Sequence, residues 1–95
     1  MDSRLAFELA DKLGHQVLGA SFQGLWANMR DFAYNMGRDL NVVDPSFEHC
    51  FDWDKYTQEL SIYYIEIEID FDQLDEADTE DLDPAMDGVT MIWRR

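Results

Sequence analysis

The spacing of apolar residues changes near the middle of the chain. In residues 1–40 apolar residues recur every three or four positions, which predicts two amphipathic helices. The first helix has Asp2 or Ser3 as a possible N-cap, and its apolar stripe comprises Leu5, Ala6, Leu9, Ala10, Leu13 and Val17. The second is predicted to begin at a Ser21 cap and to end near residues 37–40. Its core-facing stripe comprises Phe22, Leu25, Trp26, Met29, Phe32, Ala33 and Met36.

A turn is predicted at residues 41–46, where Pro45 prevents a helix from continuing. After this turn apolar and polar residues alternate. One strand is predicted from the alternation of Phe47, His49, Phe51 and Trp53 with Glu48, Cys50, Asp52 and Asp54. A second strand is predicted over residues 59–72. Its apolar parity switches near Tyr63 and Tyr64, where we expect a β-bulge to absorb the slip. Residues 88–95 favour a last strand ending in a Trp93 anchor.

These elements predict an α+β fold, in which two N-terminal helices pack on a small antiparallel sheet in the order α-α-β-β-β. The 95 residues, 46% of them hydrophobic, are enough for one domain with a core of its own. We divide this single domain, 1–95, into a helical half, 1–40, and an acidic β half, 47–95. Residues 73–87 are expected to form an acidic loop or a short helix.

The stretch YYIEIEIDFD, residues 63–72, carries a row of carboxylates on its polar parity. Alternate strand residues lie about 6.6 Å apart, twice the rise of about 3.3 Å per residue. Successive phosphates of a nucleic-acid strand are separated by roughly the same distance along their winding path. With the helices on one face, the other face of the predicted hairpin is expected to present these carboxylates at near-phosphate spacing. Like charges in such rows repel, so folding alone does not favour them.

Charge is distributed unevenly along the chain. The formal net charge is −14, and residues 47–93 hold fifteen acidic residues against one lysine, Lys55. This half is expected to be repelled by nucleic acid and by anionic membranes, and to attract a basic protein surface. No apolar run approaches a membrane span and no signal-peptide pattern opens the chain. The single cysteine, Cys50, excludes an internal disulfide, so we expect a cytoplasmic protein, in the host cell if a phage encodes it.

The sequence offers little for catalysis or for a cofactor. A solvent-facing carboxylate row gives its members similar environments, whereas acid–base catalysis needs separated pKa values. Gly19–Gly24 misses the nucleophile-elbow spacing by one residue, and His15, His49 and Cys50 make a poor zinc set. Residues 70–81 match an EF-hand loop only in part, since Asp75 stands where glycine is needed. We therefore predict no enzyme and no cofactor, and leave weak calcium binding open.

Small size, a single domain and rows of Asp and Glu make the chain resemble the DNA-mimic inhibitors of bacteriophages and other mobile elements, the anti-CRISPR and anti-restriction proteins. The residues carrying this resemblance of class are Glu66, Glu68, Asp70, Asp72, Asp75, Glu76, Asp78, Glu80, Asp81 and Asp83. The resemblance implies an inhibitor that occupies the basic groove of a DNA- or RNA-handling protein. To the expected partner-binding residues we add Glu48, Asp52 and Asp54 from the first predicted strand.

Two other interpretations stay open. One is an antitoxin, an immunity protein or a chaperone-type module bound to a basic partner. The other is acidity for solubility or halophily, although residues 1–46 are nearly balanced in charge. A homodimer through an unpaired sheet edge is also compatible with the sequence.

Overall fold

The structure, a computed structural model, describes residues 1–42 and 44–95. Four α-helices and three strands are described: α1 Ser3–Lys12, β1 Ser21–Trp26, α2 Met29–Asp39, α3 Trp53–Leu60, β2 Tyr64–Glu68, α4 Glu76–Thr79 and β3 Thr90–Arg94. Short 3-10 helices occupy Pro45–Cys50, Phe71–Gln73 and Pro84–Met86. No helix within these described residues is long and apolar enough to cross a bilayer.

The three strands form one antiparallel sheet in the order β1-β3-β2. β3 lies in the centre, paired with β1 on one side and with β2 on the other, and every residue from Thr90 to Trp93 is buried. β2 pairs with β3 in a regular register, Tyr64 opposite Arg94 and Glu68 opposite Thr90. The register of β1 shifts between Phe22 and Leu25. The predicted mixed α+β class and the strand at residues 88–95 are thus confirmed.

Helices cover both faces of the sheet. On one face α1 buries Ala6, Leu9 and Ala10 in a cluster that includes Ile67, Met91 and Trp93 of the sheet. On the other face α2 buries Met29 and Phe32 against Ile92. Since neighbouring residues of a strand point to opposite faces, Met91 and Ile92 place the two helices on opposite sides. The prediction that both helices pack on one face and leave an open acidic face is therefore wrong.

The second predicted helix is a strand in its first part. Ser21–Trp26 forms β1, in which the backbone at Gly24 has a φ of 106°, a conformation that glycine adopts easily and that ends a helix. α2 begins only at Met29, where the Asn28 side chain accepts a hydrogen bond from the Asp31 N–H at 2.8 Å. Its end at Asp39 agrees with the prediction. The order α-α-β-β-β is wrong, since β1 lies between α1 and α2.

The predicted strand at residues 47–53 is helical. Pro45–Cys50 is a 3-10 helix capped by Asp44, and α3 follows from Trp53. The predicted turn at 41–46 overlaps the start of this helix at Pro45, and it includes Val43, which lies outside the described residues. Of the alternating aromatics Phe47 is exposed, whereas Phe51 and Trp53 meet at a corner between helices, where their rings lie 4.6 Å apart and those of Tyr34 and Trp53 4.8 Å. The alternation of apolar residues here therefore comes from one edge of an aromatic cluster and not from the face of a sheet.

The predicted strand over residues 59–72 is shorter at both ends. Leu60 belongs to α3, Ile62 lies in the turn that follows, and β2 spans only Tyr64–Glu68. The switch of parity near Tyr64 therefore marks the boundary between a helix and a strand, and not the expected β-bulge. The irregularity in the sheet belongs to β1 instead.

Candidate partner-binding surface

Glu66 and Glu68 are the carboxylates that the structure places on a strand. They lie on the face of β2 that also carries Tyr64, whose ring meets that of Phe32 in α2 at 5.0 Å. α2 packs over Tyr64 and Ile92 and leaves both glutamates exposed. The other parity, Ile65 and Ile67, packs against the α1 side, as the sequence predicts.

A cleft of about 550 Å³ opens beside these glutamates. Glu66, Glu68 and Asp70 line it on the β2 side. Asn28, at the start of α2, and Thr90 of β3 line it on the opposite side. His15 also lines the cleft, and the three carboxylates with neutral polar groups around them suit a cationic side chain.

Asp70 and Asp72 do not extend the strand row. Asp70 is half-buried and its Oδ1 accepts the N–H of Asp72 at 2.9 Å, which starts the 3-10 helix Phe71–Gln73. The chain turns there, and the Asp87 carboxylate accepts the N–H of Phe71 at 3.1 Å. The row of four carboxylates at phosphate spacing is therefore reduced to Glu66 and Glu68.

Glu48, Asp52 and Asp54 do not lie beside β2, because the sheet neighbour of β2 is β3. Asp52 caps α3, its Oδ1 accepting the Lys55 N–H at 3.0 Å. Asp54 is paired with Arg30 of α2 at 2.9 Å. The Oε1 atom of Glu48 is buried and has no hydrogen-bond partner among the described residues. The predicted neighbouring row on a first strand is wrong.

The acidic segment at residues 73–87 is a folded cover on the α1 side of the core. Leu74, Leu82 and Met86 pack against the cluster around α1, and the short helix α4 agrees with one of the two predicted forms. Asp78 binds Lys12 of α1 at 2.6 Å, and this hydrogen bond raises the pKa of the Lys12 ammonium. Three partly buried apolar side chains and one ion pair therefore fix a segment whose sequence suggests solvation.

The predicted site residues separate into two groups. Asp52, Asp70 and Asp83 cap helices, and Asp54 and Asp78 pair with basic residues. A second group makes no side-chain hydrogen bond or ion pair with any other described residue: Glu48, Glu66, Glu68, Asp72, Asp75, Glu76, Glu80 and Asp81. The sequence signal of a capping aspartate is an Asp directly before a helical turn. At Asp52 and Asp70 the alternation of apolar and acidic residues predicts a strand instead and hides this signal.

An apolar surface at the opposite end of β2 was missed from the sequence. Leu40, Ile62 and Tyr63 are each more than 60% exposed. They surround a cavity of about 400 Å³ whose lining also includes Arg94 and Arg95. Tyr56 lines the same cavity, and partial burial raises the pKa of its hydroxyl. These residues come from the end of α2, from α3, from the turn before β2 and from the end of β3, so no local sequence pattern predicts this surface.

No group of three potential metal ligands comes together within the described parts of the chain, and His15, His49 and Cys50 form no such cluster. Comparisons of the chain with protein-family models, with curated proteins and with solved structures found no match.

Proposed function

We propose that this protein is an inhibitor that binds a basic surface of a DNA- or RNA-handling protein and takes the place of nucleic acid there. The observation that carries the proposal is the stretch from Glu66 to Asp87, which holds eleven carboxylates and no lysine or arginine. Folding accounts for some of these, through caps and through the pair with Lys12. It does not account for Glu66, Glu68 and the other carboxylates without a protein partner.

The electrostatics support recognition of a cationic surface. Glu66, Glu68 and Asp70 line one cleft, and the acidic segment continues directly from it along the chain. Concentrated negative charge accelerates association with a basic partner and disfavours others. Mimicry in this form rests on the density of carboxylates along residues 66–87, with Glu66 and Glu68 on the α2 side of the sheet and residues 73–87 on the α1 side, and not on a long phosphate-spaced row. The exposed thiol of Cys50 is compatible with a reducing cytoplasm as the site of action.

A second function, an antitoxin, immunity or chaperone-type module for a basic partner, is favoured by a separate observation. Leu40, Ile62 and Tyr63 expose apolar surface beside Arg94 and Arg95. An exposed cluster of this kind marks a contact driven by apolar burial, which salt weakens little. The two functions therefore differ in the surface that dominates binding and in the response to salt.

The test compares the parent with the triple variant Glu66→Gln, Glu68→Gln, Asp70→Asn. The asparagine retains the side-chain oxygen that caps the turn after Asp70, so the fold is expected to persist, as circular dichroism would verify. Both proteins are immobilised and exposed to purified nucleic-acid-binding proteins with basic grooves. We expect the parent to retain a target that duplex DNA displaces, and the triple variant to bind it about tenfold more weakly, a loss of about 1.4 kcal/mol.

The matched control is Leu40→Ser, Ile62→Ser, which alters the apolar surface and keeps every carboxylate. Inhibition through the acidic surface predicts little effect of this control and loss of binding at about 1 M salt, where the Debye length is about 3 Å. If the triple variant bound as tightly as the parent and DNA failed to compete, mimicry would be wrong. Binding that survives salt and is lost in the control would support the second function.

A further inference from the structure

β2 is an edge strand, and one row of its backbone groups hydrogen-bonds to none of the described residues. The Arg95 N–H donates to the Tyr63 carbonyl at 2.9 Å, and the Ile69 N–H donates to the Val89 carbonyl at 2.8 Å. In an antiparallel pair every second residue forms such hydrogen-bonded pairs, so Ile65 and Ile67 also point their backbone groups toward β3. The N–H and C=O groups of Tyr64, Glu66 and Glu68 consequently point to the open edge.

The other edge of the sheet is less suited to pairing. β1 is interrupted by its irregularity between Phe22 and Leu25, which twists an edge and breaks its run of hydrogen bonds. β2 pairs with β3 residue for residue over its whole length. A regular edge of five residues is a template for one additional strand.

We infer that β2 is a docking edge for an extended basic segment of the partner protein, which adds to the sheet as a fourth strand. The inference rests on the proposed function and identifies the chemistry of the partner. Side chains of paired strand residues lie on the same face, so partner residues opposite Glu66 and Glu68 face these carboxylates. Lysine or arginine at those two positions would meet the cleft that Glu66, Glu68 and Asp70 line. The intervening residue lies on the side of Ile67 and would be apolar.

A second copy of this chain is a poorer occupant. The antiparallel register that pairs all five residues of β2 with those of another β2 sets Glu66 opposite its own counterpart. Like charges directly opposite one another destabilise a strand pair. Glu66 therefore disfavours self-association at this edge, and Glu66 and Glu68 together favour a basic strand, so the same side chains protect the edge and provide specificity.

The probe is a short synthetic peptide in which lysine and valine alternate, and amide hydrogen exchange followed by NMR is the readout. In the free protein we expect the amides of Glu66 and Glu68 to exchange rapidly and those of Ile65 and Ile67 slowly. Saturating peptide should slow exchange at Glu66 and Glu68 about tenfold or more, with little change at Ile65 and Ile67. A peptide of the same composition without alternation is the control and should give much weaker protection.

Two variants separate strand addition from charge attraction. Glu66→Pro and Glu66→Gln remove the same charge, but only the proline removes the outward N–H, which an edge strand tolerates. We expect the peptide to bind the glutamine variant and to bind the proline variant about tenfold more weakly, about 1.4 kcal/mol. If Glu66→Pro fails to fold, the amide exchange pattern of the parent protein still shows whether the peptide adds to β2 as a strand.

Absence of peptide binding, or binding without slower exchange at Glu66 and Glu68, would overturn strand addition. The proposed function would still stand if the target were bound through the carboxylates and displaced by DNA. Conversely, the peptide could add to β2 while a target binds the triple variant as tightly as the parent. That result would refute the proposed function and leave strand addition at β2 standing. Formation of a homodimer through β2, seen as protection that rises with protein concentration, would contradict the choice of occupant.

Discussion

Several aspartates in this chain stabilise the fold in addition to contributing negative charge. The side chains of Asp2, Asp44, Asp52, Asp70 and Asp83 each accept a backbone N–H at the start of a helical turn. Such a cap satisfies a donor that the helix leaves unpaired, and it contributes about 1 kcal/mol. Part of the high acid content therefore consists of aspartates that cap short helices. Charge-removing substitutions must keep this oxygen if they are to test binding alone.

Asp52 gives the clearest test of this double role. Replacing Asp52 with Ala removes the acceptor for the Lys55 N–H, and we expect the free energy of unfolding to fall by about 1 kcal/mol. Asp52→Asn removes the same charge but keeps a capping oxygen, so we expect its stability to stay within about 0.5 kcal/mol of the parent. Urea unfolding followed by tryptophan fluorescence measures both. Equal destabilisation by the two substitutions would show that the charge, and not the cap, stabilises α3.

At the scale of elements, the contact between α2 and α3 depends on Gly37. A Cβ atom added at Gly37 would lie 2.8 Å from Cζ3 of Trp53, a distance that carbon atoms in proteins do not sustain. The indole ring has little room to move, because the rings of Tyr34, Phe51 and Tyr56 surround it. Glycine near the C-terminal end of α2 is thus required by packing, at some cost in helix propensity.

Gly37→Ala is therefore expected to destabilise the protein, although alanine favours a helix by about 0.5–1 kcal/mol over glycine. Overpacking against Trp53 costs about 1–3 kcal/mol, so we expect a net loss of about 1 kcal/mol in chemical denaturation. In a Trp53→Leu background the steric conflict is relieved, and the same substitution should become neutral or stabilising. A loss that persists in that background would locate the conflict elsewhere.

Elements were predicted from the sequence where the local pattern matched a single structure. α1, the end of α2 and β3 have apolar periods that tertiary contacts reinforce. The sequence predicts helix for the residues of β1 because Phe22, Leu25 and Trp26 continue the stripe of α2, and only pairing with β3 selects a strand. Residues 47–53 alternate like a strand but form a corner of helices, where Pro45 and Asp52 act as local helix starts. Short apolar runs do not resolve such cases without their partners.

The candidate site, too, was predicted only where the local pattern matches a single element of structure. The sequence correctly predicts that Glu66 and Glu68 are exposed on a strand, since their alternation with Ile65 and Ile67 spans a real strand, but α2 packs on the face that is expected to be open. The apparent continuation to Asp72 is interrupted by a turn in which the carboxylates of Asp70 and Asp87 accept backbone N–H groups. These contacts join residues that are up to sixteen positions apart, and no periodicity encodes them.

At the scale of the whole molecule, the chain is elongated, with extents of 49 × 27 × 19 Å. Its radius of gyration of 14.9 Å exceeds the value of about 12.4 Å expected for a chain of 95 residues. The aromatic corner of α3 and the core around α1 are separate clusters, so the molecule exposes much surface for its size. A net charge of −14 on that surface repels itself throughout, while two ion pairs, Lys12–Asp78 and Arg30–Asp54, oppose the repulsion.

Salt is therefore expected to stabilise the folded protein. Raising sodium chloride from about 10 mM to about 150 mM shortens the Debye length from about 30 Å to about 8 Å. This weakens both ion pairs, but each exposed pair is worth at most about 1 kcal/mol, and the many like-charge neighbours each cost a few tenths. We expect the free energy of unfolding to rise by about 0.5–1 kcal/mol, measured as a higher urea midpoint, and to rise less in the Glu66→Gln, Glu68→Gln, Asp70→Asn variant. A midpoint that falls with salt would mean that attraction within the folded chain outweighs its excess negative charge. In that case the carboxylates would belong to stabilising networks, and a basic partner would have to break these networks before it could bind.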